Sequence, residues 1–328
     1  MSAIFDALPG LEAPVGSISK SLAAMWADTG AHGRPAPGYE DVTASQVNYV
    51  LHLGFNTTAE DARVQFQTAV RFSQRYPSRV VVLCPRQNDA GVNEIHAKVY
   101  GECFLGKTKG DTRCCEFVML SYPRCQRRFL ENQVSVCLST DLPLYYYAHA
   151  FSTSSGLADY TYLLTRSKRV LIDSANAPEG ALLYPWPRPE AVHDLAYSRL
   201  LHVRQSIGQF LSRYPMDAIC QGLESVTVAH GATYAAEAQV LLAWLKDRVT
   251  QCGQNRATFR LGVGTDLPAA GCAVAFAYVG KAKYFSWRSD LALGQTTIEA
   301  DFGTGRTAIP AAVNLLAPED ALSNAMFF

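Results

Sequence analysis

The sequence predicts an α/β protein of mixed α+β character, built as two domains, on three observations. Residues 46–85 read as strand, crossover helix and strand. Residues 177–189, APEGALLYPWPRP, hold four prolines and mark a linker. Residues 258–302 hold four strand-like runs in succession. The expected division is an N-terminal arm and short helix over 1–42, an α/β domain over 43–180 with a mixed sheet, and an α+β domain over 190–328 with a mostly antiparallel sheet and two main helices.

The first 16 residues read as an extended arm, and Ser17 to Asp28 as a short helix with Ile18, Leu22, Met25 and Trp26 on one side. Val47 to Phe55 is an apolar run rich in β-branched and aromatic residues, hence a strand. Thr57 with Glu60 reads as a capping box at the start of the next helix. Glu60 and Asp61 suit the positive end of the helix dipole, and Arg71 and Arg75 the other end. Ala62, Phe66, Ala69, Val70 and Ser73 form the stripe that faces a sheet. Pro77 stops the helix, and Val80 to Leu83 is the second strand of a right-handed βαβ unit.

Ile95 to Leu105 alternates and pairs with Arg113 to Leu120 as a hairpin. Arg124 to Leu138 fits a helix with Phe129, Leu130 and Val134 inward. Leu142 to Ala150 is a strand carrying Tyr145, Tyr146 and Tyr147. Leu157 to Thr165 is a helix and Arg169 to Ile172 a strand. Glu190 to Tyr214 is one long helix or two, Leu223 to Ala229 a strand and Thr233 to Val249 a helix. Thr258 to Val263, Ala273 to Val279, Tyr284 to Arg288 and Thr296 to Phe302 are the four closing strands.

Lys+Arg and Asp+Glu both count 29 in 328 residues, and hydrophobic residues are 48% of the chain. Zero net charge argues against nucleic acid as a partner, because phosphate binding needs a cationic surplus. It permits self-association, so a homo-oligomer is open. The first 14 residues lack the basic start and apolar middle of a secretory signal, and no apolar stretch has membrane-spanning length. The expectation is a cytoplasmic protein without a membrane partner.

The nine cysteines contain no C-x-x-C, so neither a zinc site nor a disulfide framework is indicated. In the predicted hairpin Cys103 and Cys114 fall near cross-strand positions, which makes them, with Cys115, the redox candidates. The seven histidines show no ligand spacing; His52 and His96 lie in strand patterns and read as structural. Gly101 to Thr108 matches G-x-x-x-x-G-K-[ST], with Gly106, Lys107 and Thr108 as its phosphate-binding end. Its interior, Glu-Cys-Phe-Leu, prefers a strand, and Lys-Gly-Asp after it prefers a turn, so a hairpin is favoured over a nucleotide site. Arg124, Arg127 and Arg128 form either an anion patch or a solvated helix face. Tyr145, Tyr147 and Trp186 suit either a protein–protein surface or the core. No catalytic constellation, metal site or cofactor motif emerges.

Several segments in order resemble the OpcA-type glucose-6-phosphate dehydrogenase assembly proteins. They are Arg75 to Val82 (RYPSRVVV), Cys114-Cys115-Glu116, Leu142 to Tyr146 (LPLYY), Arg169 to Ser174 (RVLIDS), Asp194 to Leu200 (DLAYSRL) and Leu242 to Leu245 (LAWL). Tyr145 to Tyr147 and Tyr197 stand where that family has tryptophans. The resemblance covers about 46–250. It implies a non-catalytic protein without cofactor that binds glucose-6-phosphate dehydrogenase, favours its active state and so serves the pentose phosphate pathway. Tyr145, Tyr147, Trp186, Arg199 and Arg204 would then be partner contacts. The alternative expectation is a nucleotide-binding enzyme using Gly106, Lys107 and Thr108.

Overall fold

The computed structural model describes residues 3–31, 45–86, 94–105, 112–253 and 256–328. Its elements in chain order begin with α1 (Ala3–Ala7), β1 (Leu11–Ala13), α2 (Ile18–Ala31), β2 (Val47–Leu53), α3 (Ala59–Arg75) and β3 (Ser78–Arg86). Then come β4 (His96–Leu105), β5 (Thr112–Pro123), α4 (Arg127–Cys137), β6 (Leu144–His149), α5 (Ser154–Ala158), α6 (Thr161–Arg166) and β7 (Arg169–Ile172). The middle of the chain gives β8 (Val192–Asp194), α7 (Leu195–Arg199), α8 (Leu201–Leu211), α9 (Met216–Cys220), β9 (Leu223–His230) and α10 (Ala235–Gln251). Last are β10 (Thr258–Val263), β11 (Gly271–Tyr278), β12 (Tyr284–Asp290), β13 (Gln295–Asp301), β14 (Thr307–Ala312) and α11 (Pro318–Phe327). The predicted α/β class is what the structure shows.

Two units divide the chain: Met1–Leu195 with Leu322–Phe328, and Ala196–Ala321. The division falls after Leu195, whereas the proline-rich stretch 177–189 belongs to the first unit. There Trp186 is buried and donates from its indole N–H to the Ala181 carbonyl at 2.8 Å.

The first unit holds an eight-stranded sheet in the order β1-β4-β5-β3-β2-β6-β7-β8. From β5 to β8 every pairing is parallel. Counted among these six alone, the spatial order is third, second, first, fourth, fifth, sixth. This is a doubly wound order whose chain reverses direction across the sheet between β2 and β6. The β2–α3–β3 unit follows the predicted physics. All seven residues of β2 are buried, and α3 turns Ala62, Phe66, Ala69, Val70 and Ser73 inward. The cap differs by one residue: Thr58, not Thr57, accepts from the Asp61 N–H at 3.1 Å, and Thr57 is buried.

Alternation along each central strand feeds two cores. Val50, Val81, Val118, Tyr146 and Val170 face one side, and Tyr49, Leu51, Phe117, Tyr145 and Tyr147 the other. Phe129, expected inward, is 52% exposed, and only Leu130 and Val134 of that trio are buried. The second unit holds a six-stranded sheet, β10-β9-β11-β12-β13-β14, antiparallel except for β9 with β10. Leu200, Val203, Ile207, Leu241 and Leu245 pack with Val228, Val274, Phe276 and Trp287 in its core. Among the described residues no helix is long and apolar enough to cross a membrane.

Candidate functional site

In a sheet of this order the crevice beyond the carboxyl ends of the strands, beside the reversal point, is where ligands seat. A cleft of about 330 Å³ lies there. His52, Gly54 and Phe55 line it from the end of β2, Pro85 from β3, and Tyr122 and Arg124 from the end of β5. Phe151, Thr153, Leu157 and Tyr160 line it from the segment that follows β6.

Within the cleft wall four polar side chains form a continuous hydrogen-bonded chain. His52 Nδ1 lies 2.6 Å from the Tyr146 hydroxyl, and His52 Nε2 lies 2.6 Å from the Tyr122 hydroxyl. The Tyr122 and Tyr160 hydroxyls are 2.9 Å apart. The register explains the meeting. Val50 of β2 is opposite Tyr146 of β6, so Tyr146 shares a sheet face with His52 two residues on. Tyr160 closes the chain edge-on to the imidazole, with ring centroids 4.7 Å apart. Burial pulls the His52 pKa down to about 3 and pushes Tyr122 and Tyr146 well above the usual phenol value. Burial also raises Tyr160, while the Tyr122 hydrogen bond and the Arg127 charge act against that rise. At neutral pH all four groups are therefore uncharged.

Two arginines stand at the cleft, Arg124 and Arg127. Arg127 pairs with Asp159 at 2.6 Å. Arg124 is exposed at the rim, and no ion-pair partner for it is found among the described residues.

The floor is held from the opposite sheet face. The Gly54 N–H donates to the His149 carbonyl at 2.7 Å, tying the ends of β2 and β6 together. His149 Nε2 meets Asp61 in the first turn of α3 at 2.5 Å, and Nδ1 meets the Tyr147 hydroxyl at 2.8 Å. That hydrogen bond holds the Asp61 carboxyl below the usual carboxylate range. Ala150 then adopts φ 48°, in the left-handed region, with its N–H donated to Asn176 Oδ1 at 3.2 Å. The turn aims Phe151 into the cleft. A Cβ on Gly54 would stand 2.2 Å from the Ala150 carbonyl oxygen, which is backbone and cannot step aside. Gly54→Ala is accordingly expected to lose about 1–3 kcal/mol of stability by overpacking, read as a lowered urea midpoint; an unchanged midpoint would show that the loops yield freely.

A doubly wound sheet also raises the question of a dinucleotide, and the described residues do not fit one. The turn after β2 is Gly54-Phe55-Asn56-Thr57-Thr58, without a second glycine for close approach of a pyrophosphate. The one glycine N–H is spent on His149. The end of β3 carries Pro85-Arg86 rather than a ribose-binding carboxylate, and Arg86 donates to the Glu94 carbonyl.

The structure moves most predicted site residues out of play. Tyr145 and Tyr147 are 1% and 3% exposed, so they are core rather than docking surface, and buried Trp186 is core too. Sheets covered on both faces bury both sides of each strand, which is why three consecutive tyrosines fit. Arg199 pairs with buried Glu237 at 2.7 Å. Arg204 lies 3.6 Å above the Tyr197 ring, still partly at the surface. Cys103 and Cys114 stand opposite each other in the β4–β5 register and form a disulfide, while Cys115 is buried and free. Gly106, Lys107 and Thr108 lie outside the described residues. Gly101 to Leu105 belongs to β4 and pairs antiparallel with Thr112 to Glu116 of β5. Among the described residues no group of three metal-ligating side chains occurs.

No family model matches the chain, and no curated protein does. Among solved structures it is similar to a 3-ketoreductase from Actinomadura kijaniata in complex with TDP-benzene and NADP, at 10% identity and TM-score 0.42, over 85% of this chain and 88% of that one. It is also similar to an aldose-aldose oxidoreductase from Caulobacter crescentus complexed with glycerol, at 8% identity and TM-score 0.38, over 85% and 87%. These are enzymes, and on that finding the expectations of a non-catalytic assembly factor, an allosteric activator and a place in the pentose phosphate pathway are corrected. Likenesses this distant name no substrate, cofactor or reaction for this chain.

Proposed function

We propose that the first unit binds a small organic anion in the cleft beyond β2, β3, β5 and β6, and that this is the chain's working site. The observation that carries the reading is the convergence of the His52–Tyr122–Tyr160 hydrogen-bonded chain and the exposed Arg124 on one concave surface at the reversal point of the sheet. Its volume of about 330 Å³ suits a metabolite-sized ligand. Phe55, Pro85, Phe151 and Leu157 supply apolar walls, and the few polar groups orient what enters. Neutral phenols beside such a ligand serve as hydrogen-bond donors to its oxygens.

Calorimetric titration with small phosphorylated and carboxylated carbonyl compounds tests the reading. Binding is expected, and Ser152→Trp, which fills the mouth from an exposed position, should weaken it at least about tenfold. Absence of binding across the panel, or binding untouched by Ser152→Trp, would remove the cleft as the site.

A further inference from the structure

We propose that the four-residue chain is polarised in one direction, from Tyr146 through His52 and Tyr122 to Tyr160, so that the Tyr160 hydroxyl is a committed hydrogen-bond donor to the carbonyl oxygen of an anionic carbonyl compound in the cleft. The ligand class rests on the cleft reading above; the polarity does not.

A neutral imidazole has one N–H and one bare nitrogen, so it can donate on one side only. The Tyr146 hydroxyl is fully buried, and His52 Nδ1 is its one partner among the described residues. Were Nδ1 to carry the proton, it would donate to the Tyr146 oxygen, and the Tyr146 hydrogen would be stranded in the core. A buried donor without an acceptor bears its whole desolvation cost. With Nδ1 bare, Tyr146 donates to it, and Nε2–H donates to the Tyr122 oxygen 2.6 Å away. The Tyr122 hydrogen is then free for the Tyr160 oxygen at 2.9 Å. Tyr160, now an acceptor from Tyr122, directs its own hydrogen to the cleft, the one place left for it. Every donor has an acceptor in this order, and Tyr160, 8% exposed against 2% for Tyr122, is the phenol placed to turn its hydrogen to the cleft.

The consequence is chemical selection. Successive donors polarise each other along such a chain, which strengthens the last one. A hydroxyl whose oxygen already accepts from Tyr122, with its hydrogen turned to the cleft, favours a carbonyl, carboxylate or phosphoryl oxygen over a donor group on the ligand. Arg124 adds a preference for negative charge, since Arg127 is already neutralised by Asp159. Tyr160 is the group that meets the ligand; His52, Tyr122 and Tyr146 are positioning residues.

Two measurements test the proposal separately. Nitrogen-15 spectra of the ligand-free full chain at neutral pH should show His52 protonated at Nε2 and bare at Nδ1. Protonation at Nδ1, or at both nitrogens, would overturn the polarity. Titration with dihydroxyacetone phosphate, with inorganic phosphate as the reference lacking a carbonyl, reads the donor. Tyr160→Phe should weaken dihydroxyacetone phosphate about tenfold and phosphate little, the size of one hydrogen bond, while Arg124→Gln should weaken both. A Tyr160→Phe change within about twofold would overturn Tyr160 as donor even with the tautomer as expected. No binding of either probe would sink the cleft reading and the ligand class, and the tautomer would still decide the polarity.

Discussion

Arg199→Met is expected to destabilise the second unit by about 3–5 kcal/mol, the cost of leaving a buried charge without its partner. Glu237 is 5% exposed at the first turn of α10, and Arg199, at the end of α7, reaches its Oε1 with Nη2 at 2.7 Å and Nε at 3.2 Å. Removing the guanidinium strands the carboxylate beside Cys272, whose thiol the same carboxylate already helps to push up to about 12, behind burial as the main cause. Domains are stable by only about 5–15 kcal/mol, so the single variant should melt far below the parent. Arg199→Met with Glu237→Leu should recover much of the loss, because two apolar groups of similar bulk need no ion partner. Urea denaturation of the three proteins measures it. A single variant within about 1 kcal/mol of the parent would mean that the pair is hydrated and not structural.

Acid should weaken the first unit through His52. Its folded pKa is about 3 against an ordinary 6.5, so between those values the unfolded chain binds a proton that the folded chain refuses. Stability therefore falls as pH falls through that window, by about 1 kcal/mol per pH unit from this residue alone. His52→Gln retains one donor and one acceptor and does not titrate. Whatever it costs at neutral pH, its stability should decline less steeply than the parent's between about pH 6 and pH 4, by that amount per unit. Parallel decline in both proteins would show that His52 is charged in the fold or reached by water.

Much of the scaffold was legible. The βαβ unit announced itself because strand, cap, stripe and stop agreed within one short segment, and the hairpin register set Cys103 and Cys114 near cross-strand positions without requiring the disulfide they form. Shorter features were not. β1 and β8 are three residues each and carry no periodicity. β14 contains Pro310, which reads against a strand yet is tolerated on the sheet edge it occupies. The site itself was the least legible part. His52 read as a structural strand histidine because its partners, Tyr122 and Tyr146, are 70 and 94 residues away. Arg124 and Arg127 read as a patch or a solvated face, and only the fold sets them at a cleft. Tyr145 and Tyr147 invited a docking surface because the sequence does not say that helices cover both faces of β6. Tyr146, between them, is the one that joins the site.

Chemical-shift mapping with dihydroxyacetone phosphate on the intact chain tests the central claim most directly. The account predicts perturbed signals at Gly54, Phe55, Arg124, Phe151, Ser152 and Tyr160, together with the ring nitrogens of His52. Saturable shifts confined to the second unit, or no shifts at all, would contradict it.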